Sequence, residues 1–556
     1  MSAASIAPMT DRADLVILGG ALEPIAPLPW PADALAVRDG RIVAMGTAAD
    51  VRALVGPGTE VVELHGETVL PGFGDAHVHP ISAGLLADRV DLHALPDDPG
   101  EYFAAIGRYA DAHPERPWVL GSGWELTAFP RGEPEHQLLD GAVGDRPAML
   151  ESNDGHVAWV SSRALALAGV SAATPDPADG RIVRDASGAP TGTLVDGAMA
   201  LVERHVPPAT RDELLAGLRA AQAQLHAWGV TAWQDAHADA ETLAVYRDAA
   251  SAGWLTARVT GAQWWERDAG LEQIEAFEAE RARWAIGPLK ADAVKLMLDG
   301  ILESRTAYLV DPYAGTDERA VPFIDPDLLR EAVPELERRG FDCHFHSIGD
   351  GAVRLALDAV EEARRGNGPD AGGRAPRHHA AHLEVVNPAD VPRFATLGMT
   401  ANIQPFWAVD DEQMQGLRIP ALGADRAEWQ YVFRSLADAG ARLAGGSDWP
   451  VTTGNPLLEI EVAVNRVAPT ARDATPFVPR QRLTLDEALA AFTIGTAYVN
   501  RLDGETGTLE VGKRADLVIL DRNLRGPEAG PIGEARVMAT YVDGRPVHRS
   551  GASAPR

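Results

Sequence analysis

Residues 69–80 read VLPGFGDAHVHP, an apolar run broken by Pro-Gly and closed by two histidines two positions apart. In an extended strand, side chains two apart face the same side, so His77 and His79 can present both imidazoles to one ion at a strand end. A His-x-His pair alone is weak evidence, and the Pro-Gly-Phe-Gly-Asp before it strengthens the reading. Seven more short apolar runs follow: VTAWQDA (230–236), TARVTGA (256–262), ADAVKLML (291–298), FDCHFH (341–346), HHAAHLE (378–384), MTANIQP (399–405) and ARLAGGSD (441–448). They alternate with longer, alanine-rich amphipathic stretches, the pattern of βα units around a parallel sheet. Eight such units predict an α/β fold, a (β/α)8 TIM-like barrel, whose catalytic groups sit at the C-terminal strand ends. His77, His79, Lys295, His346, His382 and Asp448 stand at the ends of runs one, four, five, six and eight. Such convergence is how a barrel assembles a metal site.

Both chain ends have a different style. DLVILGG (14–20), ALAVRDGRIVAMG (34–46), TEVVELHGETVL (59–70), ADLVILD (515–521) and RVMATYVDGRPVH (536–548) are β-rich segments punctuated by Asp-Gly and Gly-Gly. They predict a composite β-sandwich domain, with residues 1–68 and 501–556 as its two parts and 69–500 as the barrel. The stretch between runs one and two is far longer than one helix requires. Long inserts in compact domains are usually functional, so a subdomain at about 85–215 is expected to cap the barrel mouth.

The composition sets limits. A chain of 556 residues with 46% hydrophobic side chains can bury a large core. Its formal charge of −30 disfavours nucleic acid and anionic membrane surfaces as partners. The single cysteine, Cys343, excludes an internal disulfide framework, and no motif of cysteine catalysis surrounds it. The first residues lack the pattern of a signal peptide and no apolar run is long enough to span a bilayer, so a cytoplasmic location is expected. The oligomeric state is open, with a homodimer as one arrangement.

Four histidines and an aspartate exceed the needs of one four-coordinate ion, so one or two divalent ions fit the set. Two close cations need an anionic bridge, which Lys295 supplies if carbon dioxide converts its amine to a carbamate, N6-carboxylysine. The alternative for Lys295 is a barrel-core lysine paired with Asp299 or another carboxylate. Nitrogen-rich ligands suit zinc, with iron, manganese, nickel and cobalt still open. Coordination lowers the pKa of water to about 7, making a hydroxide nucleophile for a substrate carbonyl, while Asp448 takes the proton and passes it to the leaving amine. His156, in the insert, is a candidate substrate contact or else a histidine satisfying local backbone. Trp124, Trp407 and Trp449 are candidates for an apolar substituent or else packing residues. His344, two before His346, shares its strand face.

These motifs, with GSGW (121–124), DGHVAWVSSRAL (154–165), GVTAWQDA (229–236), VKLMLDG (294–300), HSIGDGAV (346–353), QPFW (404–407), GSDWPV (446–451) and GTLEVGKRADLVILD (507–521), resemble the amidohydrolase superfamily. Within it the chain is similar to amidohydrolase family 3, which includes N-substituted formamide deformylases. The resemblance implies a metal-dependent hydrolase with a (β/α)8 barrel and a composite β domain, and metal roles for the six residues above. Three departures stand out. The usual Glu-His pair of the sixth strand is Ala381-His382, the usual Asn-Ser after the insert tryptophan is Ser161-Ser162, and the segment after His346 is rich in glycine. The expected activity is hydrolysis of a C–N bond in a non-peptide linear amide, N-substituted formamide-like, with a small-molecule substrate. Cleavage of a cyclic amide, imide, carbamate or N-acyl compound is the alternative. A non-catalytic regulatory member would usually lose ligands, and here all six are present.

Overall fold

The eight runs become eight strands of one parallel sheet: β1 (Phe73–Val78), β2 (Val230–Ala238), β3 (Arg258–Trp264), β4 (Leu289–Met297), β5 (Asp342–Ser347), β6 (His379–His382), β7 (Thr400–Ile403) and β8 (Leu443–Gly445). The computed structural model describes residues 12–26, 32–368, 371–526 and 529–551. The strands pair in chain order, β1 beside β2 and onward to β8. Beyond the last ladder, Asp448 N–H donates to the His77 carbonyl at 2.7 Å and His79 N–H to the Trp449 carbonyl at 2.9 Å, joining the ends of β1 and β8. The barrel is thereby tied shut at its C-terminal rim.

These strands are buried on both faces, which is why they read as near-continuous apolar runs. Period-two alternation divides the faces. Val294, Leu296, Cys343, Phe345, Ala380, Ala401 and Ile403 belong to the large apolar core. Their neighbours Lys295, His344, His346, His379 and Asn402 are buried polar residues on the opposite face. Gly446, just after β8, permits close packing in the barrel interior. A Cβ there would sit 2.8 Å from Asn402 Oδ1 and 2.9 Å from His77 Cβ.

Run one is not a single barrel strand. It divides at Gly72, where a side chain would collide with Thr231. Residues Thr68–Pro71 pair antiparallel with Leu517–Leu520 in a five-stranded sheet, which also holds Ala21–Leu22, Val537–Val542 and Arg545–Arg549. A four-stranded sheet of Leu15–Leu18, Ala34–Arg38, Arg41–Gly46 and Glu60–Glu63 packs on it through Ile17, Leu35, Val37, Ile519 and Tyr541. Both chain ends therefore form one small β-sandwich. Arg258, on β3, fastens it to the barrel through a two-pronged pair to Asp516 at 2.7 and 2.8 Å and a further bond to Asp543 at 2.7 Å.

The insert between β1 and β2 carries a six-stranded sheet, from Val90–Asp91 to Pro190–Asp196, around its own apolar cluster. No described helix is long and apolar enough to cross a membrane. Residues 1–11, on which the expectation of no signal peptide largely rests, lie outside the described set.

Candidate metal centre

At the C-terminal rim, one oxygen of Asp448 gathers two histidines. Asp448 Oδ1 lies 3.3 Å from His77 Nε2 and 3.0 Å from His79 Nε2. His382 from β6 approaches His77 with ring centroids 4.7 Å apart, and His346 from β5 approaches His382 at 4.3 Å. Donor atoms of His77, His382 and Asp448 all fall within 4.8 Å of one another. Lys295 Nζ, from β4, sits 3.4 Å from His77 Nε2. The structure thus brings the six ligand candidates to one rim.

Lys295 is not paired with Asp299. That carboxylate instead accepts N–H groups of Ile348, Gly349 and Tyr308 at 2.8–3.0 Å. Burial lowers the Lys295 ammonium to about 7, against the pull of Asp448 and Asp235.

The imidazoles of His77, His346 and His382 are neutral. Burial first, then Lys295, lowers His77 to about 3, and burial drives His346 and His382 well below the ordinary histidine value. His346 Nε2 and both ring nitrogens of His382 are buried without a hydrogen-bond partner. Buried polar atoms are ordinarily satisfied, so orphaned nitrogens on two neutral imidazoles beside a carboxylate fit a cation that takes one lone pair from each ring. His382 and Asp448 also hold positive φ angles, 75° and 59°. Such backbone costs about 1–3 kcal/mol per residue and persists where surrounding structure enforces it, commonly at functional sites.

A polar chain through the barrel fixes how His77 faces this centre. Asn402 Nδ2 donates to the Ala76 carbonyl at 2.9 Å, so the same nitrogen, 3.1 Å from His379 Nδ1, must donate there too. His379 then carries its proton on Nε2 and gives it to Gln234 Oε1 at 3.0 Å. That oxygen also accepts from His344 Nδ1 at 2.7 Å, leaving His344 Nε2 as an acceptor 2.9 Å from His77 Nδ1. His77 must donate from Nδ1. Its Nε2 is therefore a bare lone pair aimed at Asp448 and Lys295. A parallel branch steadies His382, whose N–H donates to Gln404 Oε1 at 2.6 Å while Gln404 Nε2 reaches Asn402 Oδ1 at 2.9 Å.

Of this chain, only His344 was anticipated. Gln234, His379, Asn402 and Gln404 showed themselves in the sequence merely as polar residues inside apolar runs. His378, next to His379, accepts from Cys343 N–H at 2.8 Å and meets Glu337 at 2.8 Å, away from the centre.

A cavity of 1040 Å3 opens above the rim, lined by His346, His382 and Asp448 from the barrel and by Glu125, Asp154 and His156 from the insert. His156 is not satisfying local backbone with its ring. Its Nδ1 lies 2.6 Å from Asp196 Oδ1, a contact that outweighs burial and raises it to about 8, and its ring stands 5.6 Å from that of His346. Trp407 stacks on His382 at 5.4 Å, and Trp449 packs edge-on to Trp228 at 5.3 Å. Both tryptophans line the cavity. Trp124 does not. It is fully buried between Phe129 and Trp159 with its indole N–H on the Leu150 carbonyl, a core residue of the insert. Of the departures from the family pattern, Ser161 caps the helix Ser162–Ala168, and Gly351 lets that backbone pass against Tyr308.

The amidohydrolase family model matches residues 60–548. Among curated proteins, the chain is 33% identical to Protein LONG AFTER FAR-RED 3 of Arabidopsis thaliana, covering 96% of this chain and 92% of that one. It is 29% identical to the N-substituted formamide deformylase of Arthrobacter pascens, covering 96% and 98%. Among solved structures, an uncharacterized metal-dependent hydrolase from Pyrococcus horikoshii superposes with a TM-score of 0.73 at 23% identity, covering 94% of this chain and 99% of that one. The barrel, the rim of histidines and a family match over most of the sequence lead to one conclusion: this chain belongs to the amidohydrolase family.

Proposed function

We propose that the protein hydrolyses a C–N bond of a non-peptide linear amide, of the N-substituted formamide type, with one or two divalent ions, zinc by preference, held by His77, His79, His346, His382, Asp448 and a carboxylated Lys295. The observation that carries this reading is the cluster of orphaned, neutral imidazole nitrogens near Asp448 at the floor of the cavity. The likeness to a formamide deformylase across nearly the full length of both chains supports the substrate class.

When bound, a divalent cation supplies activated water near neutral pH and polarises a carbonyl oxygen. The protein's own residues do the rest. Asp448 accepts the proton of the attacking water and returns it to the leaving nitrogen. His156, oriented by Asp196, faces the cavity and donates to the carbonyl oxygen as negative charge develops there. Trp407 and Trp449 receive the nitrogen substituent.

The test is incubation of the purified protein with N-benzylformamide, with formate and benzylamine both measured, beside a cyclic imide of similar size. Equal release of both products is expected. Faster opening of the ring, or no formate at all, would overturn the linear-amide assignment.

A further inference from the structure

The cavity wall is far more acidic than the chain. Its described lining includes nine aspartates and glutamates against one arginine, Arg418, and one histidine raised to about 8, His156, whereas the whole sequence carries 80 acidic to 50 basic residues. Asp448 belongs to the metal centre, and the other carboxylates stand apart from it.

Arg418 is already engaged. Its Nε bonds Glu303, and its Nη1 donates to Tyr431 Oη at 2.7 Å. Gln413 links this group to the insert, with its Oε1 3.5 Å from Arg418 Nη2 and its Nε2 2.5 Å from Glu125 Oε2. Glu125 accepts on its other oxygen from Asn153 at 2.6 Å. Burial, then the neighbouring Asp97, Asp154 and Asp411, pushes Glu125 up to about 8, so its proton is one that a cation docked beside it displaces.

Glu384 is the telling residue. It follows His382 by two positions and lines the cavity at 2% exposure. Its Oε2 has no hydrogen-bond partner, and its ion pair with Arg418, at 3.9 Å from Nε, is one that Arg418 shares with Glu303. A buried carboxylate oxygen left without a donor is costly, so a donor from a ligand is the missing partner. The aromatic faces of Phe406, Trp407 and Trp449 line the same space and favour a cation further.

We propose that this cavity selects substrates bearing a cationic group, an ammonium or amidinium, which docks against Glu384 and Glu125 while the scissile amide meets the metal rim. The proposal rests on the hydrolase reading above and names its substrate class. Neutral apolar formamides then fill the cavity without using its charge.

Two measurements separate the claims. Calorimetry with benzylammonium, benzyl alcohol and benzoate reads the cavity without turnover. Benzylammonium is expected to bind at least about tenfold more tightly than the alcohol, a difference of one charged contact, with benzoate weakest. That preference should shrink about tenfold in Glu384→Gln. Glu125→Gln should reduce it as well and serves if the first variant misfolds, each fold being checked by circular dichroism. Turnover of N-benzylformamide is then compared with its para-aminomethyl derivative. Equal binding of ammonium and alcohol by wild type overturns the cation site, even if both formamides are hydrolysed. Ammonium-selective binding with neither formamide hydrolysed upholds the site and overturns the formamide reading.

Discussion

His344 Nε2 lies 2.9 Å from His77 Nδ1, and this bond decides which face of His77 meets the metal centre. The decision originates at a backbone carbonyl, that of Ala76, and passes through Asn402, His379 and Gln234 before it reaches His344. Replacing Gln234 with leucine leaves two buried N–H groups without an acceptor and releases the His344 tautomer. Outer partners of metal ligands are typically worth 10–100-fold in affinity. Chelator competition should show metal retention weakened by about that factor in Gln234→Leu. Unchanged retention would show that the hydrogen-bond chain does not set the ligand.

Lys295 tests the number of ions. Its amine, lowered to about 7 by burial, offers a neutral fraction to carbon dioxide near neutral pH. Elemental analysis should find near two ions per chain in wild type, and one or none in Lys295→Ala. Intact-mass measurement in bicarbonate should show an adduct of one carbon dioxide in wild type alone. One ion in both proteins would reduce Lys295 to a contact residue.

The junction between barrel and sandwich predicts a stability defect. Arg258 is nine-tenths buried and holds Asp516, buried further, with two bonds. Arg258→Met strands that carboxylate, a change that costs about 3–5 kcal/mol for buried pairs. Urea unfolding should show a loss of that size. A loss below about 1 kcal/mol would mean that the junction opens to water.

Two tryptophans should part company. Trp124→Ala removes a packed core side chain of the insert, at a cost of about 3–5 kcal/mol. Trp407→Ala, at the cavity wall, should leave the thermal midpoint within a few degrees and act on KM. The reverse pattern would exchange their roles.

Acid stability has a local test in Glu213. It closes the capping box with Thr210 at the start of the helix Arg211–Ala227 and bonds Arg116 at 2.7 Å, and the Arg116 contact above all lowers it to about 2. Its folded value is depressed, so its contribution is present above the ordinary glutamate range and is lost as pH falls toward 2. The difference in thermal midpoint between wild type and Glu213→Gln should be constant above pH 5 and shrink between pH 4.5 and about 2. A difference that grows on acidification would contradict the assignment.

The barrel was legible because strands buried on both sides cannot hide their apolar runs, and ligands at strand ends fall into step with them. Gly72 shows the limit: VLPGFGDAH is continuous in sequence, yet the close passage of Thr231 parts it between two sheets. Trp124, after Gly-Ser-Gly, left both a substrate contact and a packing role open, since nothing local distinguishes an indole turned toward Phe129 from one facing solvent. Glu125, Glu303, Glu384 and Arg418 come from separate segments that no spacing connects. Their meeting is a property of three dimensions.

The strand Thr68–Pro71 finds its partner Leu517–Leu520 only across nearly the whole chain. During synthesis, every candidate ligand from His77 to Asp448 leaves the ribosome before that partner does, so the barrel rim can form while the sandwich sheet still has an open edge. Prematurely terminated chains would expose this edge to one another. A lesion in the last strands would therefore act as an aggregation defect while leaving every residue of the candidate metal centre intact.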